Sequence, residues 1–302
     1  MATGSQLYAP VVRDGNGEVE VVLGAGHPGF HDPRYRRRRN DLAALSVDWR
    51  PGDPVPHADY TDVEHEVWRV IARELEPLHH RHACRAFLEA REDLGLPTDH
   101  VPQLTEVTRR LGRVAATGTP PFRFHPVAGL APLRDFYGSF AGSVFHSTQY
   151  LRHPSQPLYT PEPDIVHEVV GHANQLAAPG FAAVYRLVGQ AVERTRSDEG
   201  LRLLSRIFWF TMEFGLVEEG GEPKAYGAGI LSSVGETASF RSADIRPLDV
   251  AEMAAVPYDI TRYQPVLFAA RSMSHLVDTL STFFAAFDDD THHRLTREGA
   301  CP

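Results

Sequence analysis

Tyr159-Thr160-Pro161-Glu162-Pro163-Asp164-Ile165-Val166-His167-Glu168-Val169-Val170-Gly171-His172 is the stretch from which the rest of this 302-residue chain is read. Prolines 161 and 163 bar a regular helix, so residues 158–164 form a loop. A helix starts near Asp164 and carries Ile165, Val166, Val169 and Val170. His167 and His172 lie five residues apart. Zinc peptidases with H-E-x-x-H hold their histidines four apart, on one helix face. A spacing of five on a straight helix turns the rings about 140° from each other. Both reach one ion only if the helix bends or ends nearby, and Gly171 permits that. The spacing argues against a zinc peptidase without arguing against a metal.

The third ligand of such a site is a carboxylate from another element. Glu213, in Phe208-Trp209-Phe210-Thr211-Met212-Glu213-Phe214-Gly215, is the candidate. A lone glutamate among aromatics is costly to bury unless it is paired or metal-bound. Two imidazoles and one carboxylate on one side of an ion form the facial triad of non-haem Fe(II) oxygenases, with positions left open for O2. Spacing alone leaves a plainer alternative standing: structural or surface histidines, and a glutamate that periodicity cannot pair with them. Ligand type alone also leaves zinc standing, and with it a zinc hydrolase.

Outward from this centre the pattern is mainly helical. Thr61-Asp62-Val63-Glu64 is a capping box, followed by Val63, Val67, Val70, Ile71, Leu75 and Leu78 on one face. Further helices are expected over 81–94, 102–111, 137–152, 181–196, 201–214 and 264–284. Residues 117–136 are Pro/Gly-rich and extended, and 225–233 form a Gly-rich turn. Residues 1–30 form a loose arm with one edge strand, 31–287 a single catalytic domain, and 288–302 a polar tail. The expected fold class is therefore mainly α with a few short β-strands.

Composition narrows the function. The net charge is −9, which disfavours nucleic acid and anionic membranes as partners. His31-Asp32-Pro33-Arg34-Tyr35-Arg36-Arg37-Arg38-Arg39 is one short basic run on an acidic chain, and reads as a solvated face with one arginine turned inward. No apolar run approaches the roughly 18 residues of a membrane helix. Cys84 and Cys301 make no disulfide framework, and no signal peptide is read at the N-terminus, so a reducing cytoplasm is expected.

Residues 159–168 resemble the core motif of the pterin-dependent aromatic amino acid hydroxylases. The likeness extends through Phe145-His146-Ser147-Thr148-Gln149-Tyr150-Leu151-Arg152-His153, through 208–215, and through Lys224-Ala225-Tyr226-Gly227-Ala228-Gly229-Ile230-Leu231-Ser232-Ser233. With weaker likeness over 33–111, it spans roughly residues 31–285. Short bacterial phenylalanine hydroxylases are the nearest in form, and these look monomeric.

The resemblance implies roles. His167, His172 and Glu213 would bind Fe(II). Arg152 would hold the substrate carboxylate bidentately, with Asp164 orienting it. Pro161, Trp209 and Phe214 would cage the aromatic ring. Thr160, Gly229 and Ser232 would complete the amino acid site, Ser232 also supporting an iron histidine. Glu162 would pair with Arg39. A tetrahydropterin would lie along Gly129, Leu130, Ala131 and Leu133, stacked on Phe136, with Glu168 near its ring. Two departures stand out. Animal members usually carry serines where this chain has Ala131-Pro132-Leu133. Residues Ala173-Asn174-Gln175-Leu176-Ala177-Ala178-Pro179-Gly180, beside the iron, differ from the usual VPLF-like run.

The family inserts one oxygen atom of O2 into an aromatic ring, with the pterin supplying two electrons. The expected activity is phenylalanine 4-monooxygenation to tyrosine. Phenylalanine 3-hydroxylation, or attack on tryptophan or tyrosine, is the alternative.

Overall fold

The computed structural model describes residues 9–259 and 262–298. Cys301 and the first eight residues lie outside them. Thr61 caps the helix Asp62–His82 as expected: its hydroxyl accepts from the Glu64 amide, and the Glu64 carboxylate accepts from the Thr61 amide. Val67, Ile71 and Leu75 of the expected face are buried together with Trp68, while Val63 in the first turn is exposed. Arg85–Leu94, Leu104–Val114, Pro179–Arg194 and Asp198–Phe208 pack with it around one continuous core.

Two expected helices give way to strands. Over 137–152, helix Leu133–Ser139 stops and Val144–Ser147 forms β4, parallel to β3 (Arg123–Pro126). Ser143 takes φ 53°, which ends the helical path, and Val144 and Phe145 suit a pleated strand. Over 264–284, Val266–Ala270 is a strand and the helix begins only at Met273, capped by Ser272. A short apolar run buried on both sides is ambiguous between the two states by periodicity.

That strand is β8 of a four-stranded sheet. Its partners are β5 (Leu216–Glu219), β6 (Glu222–Ala225) and β7 (Asp244–Pro247), in the order β6-β5-β8-β7. The β5–β6 hairpin turns through Gly220 and Gly221, both at positive φ. It carries the chain from Glu213 back to the glycine-rich turn, so the two lie side by side. At the N-terminus, β1 (Val11–Arg13) and β2 (Val19–Val21) form a hairpin where one edge strand was expected. Residues Thr291–Glu298, expected as polar tail, are helical.

Candidate active site

The five-residue histidine spacing is accommodated by a change of helix type. His167–Ala173 is π-helical. In i→i+5 geometry, residues five apart face the same side, so both rings point one way. Gly171 has a different task from the one expected. A Cβ there would lie 2.8 Å from the Ala228 carbonyl oxygen and 2.9 Å from its Cβ. Glycine lets the turn that carries Gly229 and Ser232 approach the ligand helix. Glu213 ends a second π segment, Trp209–Glu213, which continues helix Asp198–Phe208.

The three side chains converge. His167 Nε2 and His172 Nε2 are 3.0 Å apart. Glu213 Oε1 lies 3.2 Å from His172 Nε2, and its Oε2 lies 3.6 Å from His167 Nε2. These are the one group of His, Cys, Asp and Glu among the described residues with metal-ligand spacing. Burial holds His167 down to about 4, so its ring stays neutral at physiological pH. Burial alone would raise Glu213, but His172 and His167 outweigh it and hold the carboxylate below its usual range. Two imidazoles and a carboxylate facing one point are a donor set that suits a divalent cation. Imidazole nitrogens bind such ions at about 2.1 Å, and two bonds at right angles put them about 3.0 Å apart. No fourth side chain closes the set among the described residues.

Arg152 and Asp164 are sealed beside this face, at 4% and 0% exposure. Asp164 accepts from Arg152 Nε and Nη2, both at 2.9 Å, and from the Arg152 amide at 2.8 Å. It also accepts from the His167 amide at 3.3 Å, which ties the pair to the start of the ligand helix. One guanidinium edge is thus given to Asp164, and the edge that carries Nη1 remains.

Trp209 and Phe214 pack with ring centroids 4.5 Å apart, and Trp209 stacks on Tyr258. A Cβ on Gly229 would come within 2.7 Å of the Phe214 ring, so the glycine turn presses on that wall. The Ser232 hydroxyl lies 3.0 Å from His167 Nδ1. The Thr160 hydroxyl donates within its own loop, to the Glu162 carbonyl at 2.7 Å. Pro161 is half-buried beside it.

On the other side of His172, the Phe145 ring bridges to Phe136: it lies 4.8 Å from His172 and 5.5 Å from Phe136. A cavity of about 640 Å3 is lined by Val127–Ala131, His146 and Trp49. Gly129, Leu130 and Ala131 therefore border open space, whereas Leu133 is exposed outside it. Glu168 is buried, and burial, then the Glu213 and Asp164 charges, raises its carboxyl well above the usual range. Sequence reasoning gave no role to His146, Gln175 or Tyr185. Gln175 had a visible signal, its place in the segment that departs from the VPLF-like run. Tyr185 had none, being one aromatic on a helix.

An open triad of two histidines and a glutamate in a helical domain defines a non-haem iron oxygenase. The family model of the biopterin-dependent aromatic amino acid hydroxylases matches residues 16–295, and the chain belongs to that family. It is thus an enzyme that works with iron and a biopterin-type cofactor, not a zinc hydrolase. Phenylalanine 3-hydroxylase of Streptomyces coeruleorubidus is 49% identical over 265 residues, covering 88% of this chain and 93% of that protein. Rat phenylalanine-4-hydroxylase is 42% identical over 269 residues, 87% of this chain, which spans only 58% of the rat protein. A crystal structure of Chromobacterium violaceum phenylalanine hydroxylase, with bound iron(III) and 7,8-dihydrobiopterin, superposes with a TM-score of 0.75 at 29% identity. That match covers 88% of this chain and 93% of the other. Among the described residues no helix is long and apolar enough to cross a membrane.

Proposed function

We propose that the enzyme hydroxylates L-phenylalanine at ring carbon 4, giving L-tyrosine. The observation that carries a free amino acid as substrate is the buried Arg152–Asp164 pair with one guanidinium edge left over, anchored to the His167 amide. That edge would take the substrate carboxylate through two parallel hydrogen bonds. The Trp209–Phe214 wall would hold the aromatic ring by offset and edge contacts.

His167, His172 and Glu213 would hold the iron, and Phe136, the 129–131 backbone and Glu168 the pterin. When bound, iron and tetrahydropterin supply the activation of O2 and the two electrons it requires. The chain's own work is placement. Arg152 fixes one end of the substrate and the ring wall the other, and together they decide which ring carbon faces the metal. A displacement of about 1 Å costs on the order of 10²-fold in rate or changes the carbon attacked. Glu168, whose carboxyl burial raises well above its usual range, would lie against the pterin ring.

A second reading, 3-hydroxylation, is favoured by the Streptomyces relative named for that reaction. A monomer in a reducing compartment goes with either reading, in keeping with the free buried thiol of Cys84. The test is product identity. Protein loaded with Fe(II) is given tetrahydropterin, O2 and phenylalanine, tyrosine or tryptophan in turn, and products are separated by chromatography. Para-tyrosine is the expected product. Meta-tyrosine would replace the first reading with the second, and no product from any of the three would overturn both.

A further inference from the structure

We infer that Gln175 and Tyr185 are positioning residues that set the tautomer of His172, and so aim its Nε2 lone pair at the metal. The inference follows from where each proton has to go. Gln175 and Tyr185 are fully buried and His172 is 1% exposed, so solvent takes no part. Gln175 Nε2 lies 2.8 Å from the Met212 carbonyl oxygen and 2.7 Å from that of Tyr226. Carbonyls only accept, so the amide nitrogen must face them and the opposite amide orientation is excluded. Gln175 Oε1 then faces the Tyr185 hydroxyl and must accept its proton. A phenol has one proton, so toward His172 Nδ1, 2.6 Å away, the Tyr185 oxygen can only accept. Nδ1 therefore carries the hydrogen, and in the neutral ring this puts the lone pair on Nε2, facing His167 and Glu213.

The same amide ties down more than one ligand. Met212 directly precedes Glu213, and Tyr226 opens the turn that brings Ser232 to His167. Gln175 thus joins the supports of all three metal-binding side chains. The His167 side has no such order: the Ser232 hydroxyl has the Gly229 carbonyl only at 3.5 Å, and can donate to Nδ1 or accept from it.

The inference rests on the metal-binding reading of the triad but not on which amino acid is hydroxylated. Three readouts test it: release of Fe(II) to a chelator, the visible spectrum of the Co(II)-loaded protein, and the melting temperature without metal. Tyr185→Phe removes one oxygen, and should speed metal release by roughly 10- to 100-fold and shift the Co(II) bands. Gln175→Met should do the same. The double variant should be no worse than the more severe single, because both break one relay. Ser232→Ala combined with Tyr185→Phe should multiply, because the two props are separate. Release within twofold of the parent in Tyr185→Phe, or a lowered melting temperature with unchanged Co(II) bands, would overturn the relay. So would multiplying effects of Tyr185→Phe and Gln175→Met. If Gln175→Met does not fold, Tyr185→Phe alone decides. A parent that takes up no metal would overturn the reading of the triad itself, which keeps the two failures apart.

Discussion

Arg152–Asp164 and Arg39–Glu162 are built from the same chemistry, and their carboxylates sit two residues apart in one loop. All four side chains are at most 5% exposed. Their surroundings differ. Asp164 is filled from within the site, by Arg152 and the first turn of the ligand helix, and Arg152 keeps an edge for another anion. Glu162 is filled from outside it. Arg39 of helix Pro33–Val47 donates at 2.6 Å, the Ala9 amide at 3.2 Å, and His27 Nε2 lies 3.5 Å away. The Arg39 guanidinium also lies 3.4 Å from the centre of the Tyr150 ring, so a face is used as well as Nη1. A buried arginine–carboxylate pair is therefore no sign of a binding site by itself. What separates the two is where the carboxylate's other partners come from: the ligand helix for Asp164, the N-terminal arm for Glu162.

The sharpest break between them is in stability. Glu162→Gln leaves a buried guanidinium without its counter-charge, and should cost about 3–5 kcal/mol in denaturant unfolding. The KM for the amino acid should stay within about twofold of the parent. A large rise in KM would erase the distinction between the pairs. Arg152→Lys is next in size. It keeps the charge but loses the planar fork, so KM should rise by on the order of 10- to 150-fold, matching the roughly 1.5–3 kcal/mol of hydrogen bonds to charged groups. Steady-state kinetics with an unchanged KM would remove Arg152 from carboxylate binding.

The smallest effect is one of pH. Burial would raise Glu162, but His27 and Arg39 outweigh it and depress the carboxyl from 4.5 to about 2. A carboxyl depressed in the folded state stabilises the fold above its unfolded value, and that contribution is lost as pH falls toward the folded one. The unfolding free energy of the parent should therefore drop between pH 4.5 and 2 more steeply than that of Glu162→Gln. Parallel curves would mean that the pair does not carry the arm's attachment.

The fate of the basic run shows what a linear reading can see. Arg36-Arg37-Arg38-Arg39 reads as a solvated face with one arginine turned inward. In the fold Arg39 reaches Glu162, while Arg38 grips Glu64 of the capping box at 2.9 Å and Arg36 lies 3.4 Å from Glu20. Residue types named the inward arginine's kind of partner, but only the packing of helix Pro33–Val47 chose which carboxylates were met. The two helices that became strands fail for a related reason. Val144–Ser147 is a short mixed run and Val266–Ala270 a short apolar one, and the state of each is decided by the strand beside it.

By itself the sequence determined the ligand types, the loop forced by Pro161 and Pro163, the cap at Thr61, and the motif order that marks the family. These depend on covalent identity, on steric limits within a few residues, and on linear spacing. Only the tertiary structure decided how a five-residue spacing serves one ion, because the spacing itself does not say that the helix widens to a π turn, against which the glycine turn then packs. It alone also decided the orientation of the Gln175 amide, because that is set by two carbonyls 37 and 51 residues away in the chain. Hydrogen-bond donors and acceptors become a forced sequence of protons only where burial removes water as an alternative partner.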